Sequence, residues 1–156
     1  MRVGDQHGGK VRFGSGLFVH TFNTLCPPEE FFATNPEYFS EINGGRVKDH
    51  TQLCLTNPHV LRIVTERLLA RIRQDPTAKL FSVSQNDWYN FCTCPDCKAI
   101  DDREESHAGT MITFVNKVAE AVEKEFPELW IETLAYQYTR KPPKTLKPRR
   151  NVVPRL

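Results

Sequence analysis

Residues 82–97, SVSQNDWYNFCTCPDC, hold many of the side chains in this chain that are suited to chemistry. Asp87 can transfer a proton, and the apolar ring of Trp88 beside it would withdraw the carboxyl from water, as a general acid requires. Three thiols follow within ten residues, at Cys92, Cys94 and Cys97. The segment therefore combines a candidate catalytic acid, a candidate aromatic platform and candidate metal ligands.

The three cysteines read C-x-C-x-x-C, which contains one C-x-x-C unit where a strong zinc signature has two. A tetrahedral site would need a fourth ligand, for which Cys54, Cys26 and His107 are the candidates. The alternatives are a structural disulfide such as Cys92 to Cys97, packed free thiols, and a redox function. Zinc would then be a structural ion that braces the neighbouring segment, and no cofactor is required.

Two long helices are predicted from caps and periodicity. Asn57 is a good N-cap, Pro58 suits the first helical position, and apolar residues keep helical spacing until Asp75-Pro76 ends the helix. A second amphipathic helix is predicted over about residues 106–126. Within the long connection over residues 23–56, PPEEFF and NPEYF each predict one helical turn opened by proline.

Short apolar runs predict the strands. They cover residues 16–22, 79–84 and 129–136, and NVVPRL over 151–156 begins a fourth. Strands that alternate with helices predict a parallel sheet covered by helices, the α/β class. Residues 1–15 are glycine-rich and predict a flexible lead-in, so the domain is expected over residues 16–156.

Polar and aromatic side chains follow three of these strands. In parallel α/β folds the carboxyl ends of the strands meet where ligands bind. Hydroxyl-binding groups beside aromatic rings suit a sugar, whose C–H faces stack on rings. The candidate binding residues are His20, Thr21, Gln85, Asn86, Trp88, Tyr136, Gln137 and Tyr138.

Composition limits the partners. With 21 basic and 19 acidic residues the net charge is +2, which demands neither a nucleic acid nor a membrane surface. Basic residues concentrate after residue 139, where a solvated proline-spaced loop explains them and a phosphate- or nucleic-acid-binding patch is the alternative. No stretch has the length of a membrane span, so membrane insertion is not expected, and the first residues lack the apolar centre of a signal peptide.

Five blocks carry a family resemblance: HTFNTLCPPEEFF, NPEYFSEINGGR, QLCLTNPHV, SVSQNDWYNFCTCPDCKAID and IETLAYQYTRKPPK. Together they resemble the bacterial domain of unknown function family 4838, over about residues 15–152. Members of that family are similar to glycoside hydrolase family 163, which comprises retaining endo-β-N-acetylglucosaminidases that act on complex N-glycans and have a TIM-barrel domain. The resemblance implies an exported protein and a chain that forms about half of a (β/α)8 barrel, since a whole barrel needs roughly 250 residues.

The resemblance also implies a mechanism with acidic groups. Glycosidases ordinarily use two carboxylates, and beside Asp87 the nearest option is Glu132, which lies early in its strand. Hydrolysis through the substrate's own acetamide would instead need one acid and an orienting group, for which Asn86, Asp87 and Tyr136 are candidates. The alternatives are a noncatalytic carbohydrate-binding or vestigial half-barrel, which could self-associate through open sheet edges, and a zinc-braced module that binds nucleic acid or protein.

Overall fold

The computed structural model describes residues 11–156, in which three parallel strands form the main sheet. They are β3 (Leu80–Ser82), β4 (Trp130–Leu134) and β5 (Val152–Arg155), and β4 lies in the centre. Phe81 pairs with Ile131, and Ile131 pairs with Val152. The predicted parallel α/β class is confirmed. Over residues 11–156 the sheet is open and does not close into a barrel.

Residues 12–14 run along the outer edge of β3. Phe13 bridges Leu80 in parallel, and the Gly14 amide donates to the Leu80 carbonyl at 2.8 Å. The predicted strand over residues 16–22 is wrong, because the chain turns at Gly16, whose φ is +71°. Leu17 and Phe22 are buried without being in a strand, whereas Phe18 is exposed. Of the predicted lead-in, residues 1–10 lie outside the described part of the chain.

The long connection before the first long helix is more ordered than a loop. Its elements are α1 (Phe22–Leu25), α2 (Pro28–Phe31), a 3-10 turn (Pro36–Tyr38), β1 (Glu41–Ile42) and β2 (Gly45–Arg46). The helical turns predicted at PPEEFF and NPEYF are confirmed. Strands β1 and β2 form a hairpin that sequence reasoning missed, although Asn43-Gly44 is a strong signal for a two-residue turn. Both turn residues have positive φ, +51° and +79°.

Three helices follow, α3 (Pro58–Gln74), α4 (Pro95–Glu104) and α5 (Ala108–Glu125). The Asn57 side chain accepts from the His59 amide at 2.9 Å, which confirms the predicted cap of α3. The predicted helix over 106–126 is confirmed as α5. Helix α4 was not predicted, although Pro95 is typical of a first helical position and occupies it here.

One apolar core joins the helices to the sheet. Helix α5 packs on β4, on β5 and on α3, and the ring of Phe22 meets Phe114 edge to face at 6.2 Å. The fully buried residues of this core include Val60, Val64, Leu68, Phe81, Val83, Val115, Val118 and Ile131. Over the described residues, every helix falls short of the length and apolarity that crossing a membrane requires.

The basic segment after residue 139 is fixed to the helices by acidic side chains. The Glu104 carboxylate is buried and accepts from the backbone amides of Thr145 at 2.8 Å and Leu146 at 3.0 Å. Glu123 on α5 pairs with both Arg149 and Arg150, at 2.6 and 2.7 Å. The segment is therefore an ordered strap, and two of its arginines are neutralised within the fold.

Glu104 makes the stability of this strap depend on pH. Hydrogen bonds from the Thr145 and Leu146 amides lower the pKa of Glu104 from 4.5 to about 2. Because the folded-state pKa is the lower one, the carboxylate stabilises the fold above 4.5, and this contribution is lost as the pH falls toward 2. We expect Glu104→Gln to be less stable at neutral pH and to lose less stability than the wild type on acidification.

Urea unfolding at about pH 7 and about pH 3 measures the difference, with a chelator present throughout so that released metal does not contribute. Glu66→Gln is the control, because Glu66 is exposed and forms only an i, i+4 pair with Arg62. Equal stability losses on acidification for Glu104→Gln and the wild type would contradict the assignment.

Candidate functional sites at the carboxyl end of the sheet

Three chain segments meet beyond the carboxyl ends of β3 and β4. They are residues 20–21, 85–89 and 136–138, which we call the rim. The first segment reaches this position without being a strand, because the Thr21 amide donates to the Ser84 carbonyl at 3.1 Å. The rim therefore holds together all of the predicted binding residues and the predicted acid.

Hydrogen bonds connect the three rim segments. The His20 Nδ1 atom lies 2.8 Å from the Gln85 carbonyl oxygen, and the Gln85 side-chain amide donates to the Tyr136 carbonyl at 3.0 Å. The Gln137 amide donates to Asp87 Oδ1 at 3.0 Å. The polar residues predicted at separate chain positions thus form one continuous network.

The outer layer of the rim is aromatic and accessible. Trp88 is 40% exposed, Tyr89 64% and Tyr136 39%. The Trp88 ring lies against the His50 ring, with 4.2 Å between centroids. Asp87 is exposed among these rings, so Trp88 does not withdraw its carboxyl from water as the sequence suggested. This layer can stack on a ligand and accept hydrogen bonds from it.

Three predicted binding residues lie below this layer and are buried. The Thr21 hydroxyl accepts from the Ser84 amide at 3.0 Å. The Asn86 side-chain amide donates to Asn23 Oδ1 at 2.8 Å and to the Thr51 carbonyl at 3.0 Å. The Gln85 amide is likewise engaged within the protein. Thr21, Gln85 and Asn86 therefore support the rim from inside, and the side-chain amide donors of Gln85 and Asn86 are already satisfied.

Tyr138 is half-buried at the margin of the rim. Its ring packs near Tyr89 and Phe91, with centroid distances of 6.4 and 5.1 Å. Burial raises the pKa of the Tyr138 phenol above its ordinary value, and the carboxylate of Asp101 adds to this effect. Tyr138 is thus a neutral packing ring that supports the more exposed Tyr89.

Gln52 is a rim-supporting residue whose role the sequence did not reveal. It is 2% exposed, and its Nε2 atom donates to the Asn86 and Trp88 carbonyls at 2.8 and 2.7 Å. Its Oε1 atom accepts from the Asn86 backbone amide at 2.9 Å. The one available signal was the position of Gln52 directly before the apolar residues Leu53-Cys54-Leu55. A polar side chain in such a position predicts a buried amide only weakly.

Glu132, the second carboxylate considered from the sequence, is 1% exposed within β4. One oxygen accepts from Arg155 Nε at 2.5 Å, and the same arginine donates to the Phe18 carbonyl at 2.9 Å. The Arg155 guanidinium also lies over the Phe18 ring, 4.5 Å from its centroid. Glu132 therefore belongs to an ion pair that joins β4 to β5 and to the chain near Phe18.

Four cysteines form a second site beside the rim. The sulfurs of Cys54, Cys92, Cys94 and Cys97 all lie within 4.8 Å of one another, and all four residues are buried. Cys54 Sγ is 3.7 Å from Cys94 Sγ and 3.9 Å from Cys97 Sγ. A tetrahedral zinc–thiolate centre with bonds of about 2.3 Å places its sulfurs about 3.8 Å apart. We call these residues the cysteine cluster.

The cluster selects one of the fourth-ligand candidates and leaves the others elsewhere. Cys26 is buried in the main core, and His107 Nδ1 lies 2.9 Å from the buried carboxylate of Asp101. All five cysteines are free thiols, so the structure contains no disulfide among residues 11–156. Cys54 alone joins the three cysteines that the sequence singled out.

Local structure favours a thiolate at Cys54 in the metal-free cluster. Hydrogen bonds from the Cys92 and Cys97 thiols lower the pKa of Cys54 below its ordinary value. The same bonds to Cys54 raise the pKa of Cys92 to about 12 and raise the pKa of Cys97, so these two thiols stay protonated until a metal ion displaces their protons. Cys94 is the N-cap residue of α4 and Cys97 lies in its first turn, where the positive end of the helix dipole stabilises negative sulfur.

Cys26 is a buried thiol that lies outside the cluster. Burial raises the pKa of its thiol to about 12, so it stays protonated and behaves as a small apolar side chain. The cluster cysteines differ from Cys26 in having one another and backbone donors as neighbours. They form a donor set of the kind that binds a soft divalent metal ion.

Comparison with known proteins identifies a family for this chain. The family model described as Domain of unknown function (DUF4838) matches residues 2–156. No curated protein and no solved structure matches the chain. Because the family model covers nearly the whole sequence, the chain belongs to the DUF4838 family.

Proposed function

We propose that the rim binds a glycan containing N-acetylglucosamine, as part of a domain similar to glycoside hydrolase family 163. The observation that carries this proposal is the exposed layer of Trp88, Tyr89 and Tyr136 around the Asp87–Gln137 hydrogen bond. Aromatic faces stack on the C–H faces of a pyranose, and fixed carboxylate and amide groups select its hydroxyls. The Gln137 Nε2 atom is held by Asp87 Oδ1 at 3.0 Å, which fixes the relative position of these two groups.

The catalytic part of the proposal assigns Asp87 as the acidic residue. Asp87 is the one carboxylate of the rim, whereas Glu132 is buried in an ion pair. Retaining hydrolysis needs either a second carboxylate or the acetamide of the substrate as nucleophile. Asn86 is already hydrogen-bonded inside the protein, so Tyr136 is the rim residue left to orient an acetamide. A binding domain without catalysis uses the same surface.

The parallel order of the strands supports a half-barrel origin for the domain. The three strands are parallel, so their carboxyl ends lie at the same edge of the sheet, as in a (β/α)8 barrel. Phe13 bridges the outer edge of β3, and within residues 11–156 the outer edge of β5 is open. Open edges can pair with further strands or with a second copy of the chain. An exported location follows from the family resemblance only and remains part of the proposal.

Trp88 should contribute most of the apolar contact with the sugar. We expect Trp88→Ala to weaken binding of a complex N-glycan by roughly tenfold, because a lost stacking ring costs about 1–2 kcal/mol. Isothermal titration of the intact chain with the glycan measures the affinity. Asp87→Asn should retain binding, since its amide still accepts a hydrogen bond, and should abolish any release of oligosaccharide.

Trp130→Ala is the matched control, because Trp130 is 46% exposed but lies at the amino-terminal start of β4. It should bind the glycan as the wild type does. Equal weakening by the two tryptophan substitutions, or no binding by the wild type, would rule out the rim as the sugar site. Binding without hydrolysis by the wild type would favour the noncatalytic alternative.

A specific observation also favours a metal-binding role. We propose that the cysteine cluster holds one structural Zn²⁺ through four thiolates. The separations of Cys54 Sγ from Cys94 Sγ and Cys97 Sγ match a tetrahedral zinc centre, and all four sulfurs lie within 4.8 Å of one another. A closed site with four protein ligands leaves no position for a reacting water. Arg46 Nη1 lies 3.8 Å from Cys92 Sγ, where its charge offsets part of the excess negative charge. Zinc would thus connect the chain before α3 to the chain before α4.

The zinc proposal predicts one Zn²⁺ for each chain purified without chelator. Cys97→Ala should lose the metal and unfold at a lower temperature, because three thiolates bind more weakly than four and the released loops gain entropy. Elemental analysis and thermal unfolding with and without chelator are the measurements.

Cys26→Ala is the control, because Cys26 is a buried thiol outside the cluster. It should keep one zinc per chain even if a small cavity reduces its stability. The proposal would be contradicted if the wild type contained no metal and neither chelator nor added zinc changed its stability. The cluster would then consist of packed free thiols.

A further inference from the structure

We infer that Gln52 is a positioning residue that makes the shape of the rim depend on the cysteine cluster. The ligand in this inference rests on the proposed glycan function, whereas the mechanical coupling rests on contacts within the protein. The coupling links two sites that are adjacent in the fold, and it gives the cluster a role beyond general stability.

Gln52 uses its whole side-chain amide to hold one turn. Its Nε2 atom donates to the carbonyls of Asn86 and Trp88, and its Oε1 atom accepts from the Asn86 amide. The Trp88 amide donates to the Asn86 carbonyl at 2.8 Å and closes the turn. Asp87 and Trp88 project from this turn, so the position of Gln52 sets where the acid and the ring stand.

The Trp88 end of the turn has few other supports. Asn86 is also held through its side chain by Asn23 and Thr51. Within residues 11–156, Gln52 supplies the one side-chain hydrogen bond to the Trp88 backbone. Loss of the Gln52 donors would therefore free the Trp88 carbonyl and leave the contact with the His50 ring as the support of Trp88, while the Asn86 side chain stayed in place.

The cysteine cluster fixes the other end of the same two chain segments. Cys54 lies two residues after Gln52, and Leu53 between them is buried in the core. Cys92 lies four residues after Trp88. Gln52 and the sulfurs thus connect the same two segments, residues 52–54 and residues 86–97, at two separate points. The segment of residues 52–54 is also bonded to residues 38–40, so a displacement of Cys54 acts on Gln52 through a short and ordered stretch of chain.

Trp88 itself can report on this coupling. The chain has two tryptophans, so a Trp130→Phe background leaves Trp88 as the sole tryptophan. We expect Gln52→Glu in this background to increase acrylamide quenching of Trp88 at least about twofold, because a carboxylate cannot donate to the two carbonyls and the turn opens. Removing zinc with a chelator should give a similar increase.

Coupling is tested by combining the two changes. If Gln52 transmits the state of the cluster, chelator should add little to the quenching of the Gln52→Glu protein, so the effects should be clearly less than additive. Cys97→Ala replaces chelator as the change at the cluster should the wild type carry no zinc. Circular dichroism and thermal unfolding verify that each protein remains folded.

Asn116→Asp is the matched control, because it is also an amide-to-acid change that removes a donor to a backbone carbonyl. The Asn116 amide donates to the Lys147 carbonyl at 2.9 Å, on the side of α5 that faces the basic strap. This variant should leave Trp88 quenching unchanged. Unchanged quenching in folded Gln52→Glu, or fully additive effects, would overturn the inference.

Sugar affinity separates this inference from the proposed function. Gln52→Glu should weaken glycan binding about tenfold, with Asp87 and Trp88 themselves unaltered. If the wild type binds no glycan and the quenching results still show coupling, the proposed ligand is wrong and the positioning role stands. If the wild type binds glycan and Gln52→Glu binds equally well, the positioning role is wrong and the glycan function stands.

Discussion

The chain that leaves β3 is buried but irregular, so its backbone groups need hydrogen-bond partners from other segments. The rest of the site depends on these partners. Between Ser82 and the start of α4 the chain forms no regular ladder, yet residues 83–86 are buried. Buried backbone groups need partners, because leaving one unpaired costs about 1–3 kcal/mol. The Glu132 carbonyl and Thr21 pair with the backbone of residues 83 and 84, and Gln52 pairs with both backbone groups of Asn86. The irregular segments that contain Gln52 and Asn86 thus stabilise each other.

This arrangement explains why the rim can expose several large aromatic rings. Rings in water favour collapse onto apolar surface, and a flexible loop would bury them. Here Gln85, Asn86 and Gln52 occupy the interior below the rings and are committed to internal hydrogen bonds. The buried amides fix the backbone, so Trp88 and Tyr89 stay exposed on a rigid support, which is what a binding surface requires.

Local signals were sufficient for most of the regular structure. The Asn57 cap and the Asp75-Pro76 stop set α3, and periodicity set α5, because both depend on residues close in sequence. The strand over residues 16–22 failed, because burial of Leu17 and Phe22 is compatible with turns as well as with a strand. Periodicity over so short a run does not distinguish them.

Some features of the candidate site were also predictable from local sequence, whereas others depend on contacts between distant residues. The polar exits near residues 20, 85 and 136 were predictable, because parallel strands must bring their carboxyl ends together. Cys54 could be proposed only as one of three fourth ligands, since it lies 40 residues from Cys94 and only the fold brings them together. The role of Gln52 depends on backbone groups 34 and 36 residues away, which no sequence pattern encodes.

The two faces of the sheet determine how much chemistry this chain supplies by itself. Ile131 and Val152 face the helices, so their neighbours Glu132 and Val153 face the other side, which is the interior in a barrel. On that side Arg155 neutralises Glu132, while Val153 and Phe18 remain exposed. The accessible acid of the rim is therefore Asp87 alone. On the proposed function, the rim provides a braced surface for recognition, and retaining hydrolysis would require either a second carboxylate from outside the rim or the acetamide of the substrate.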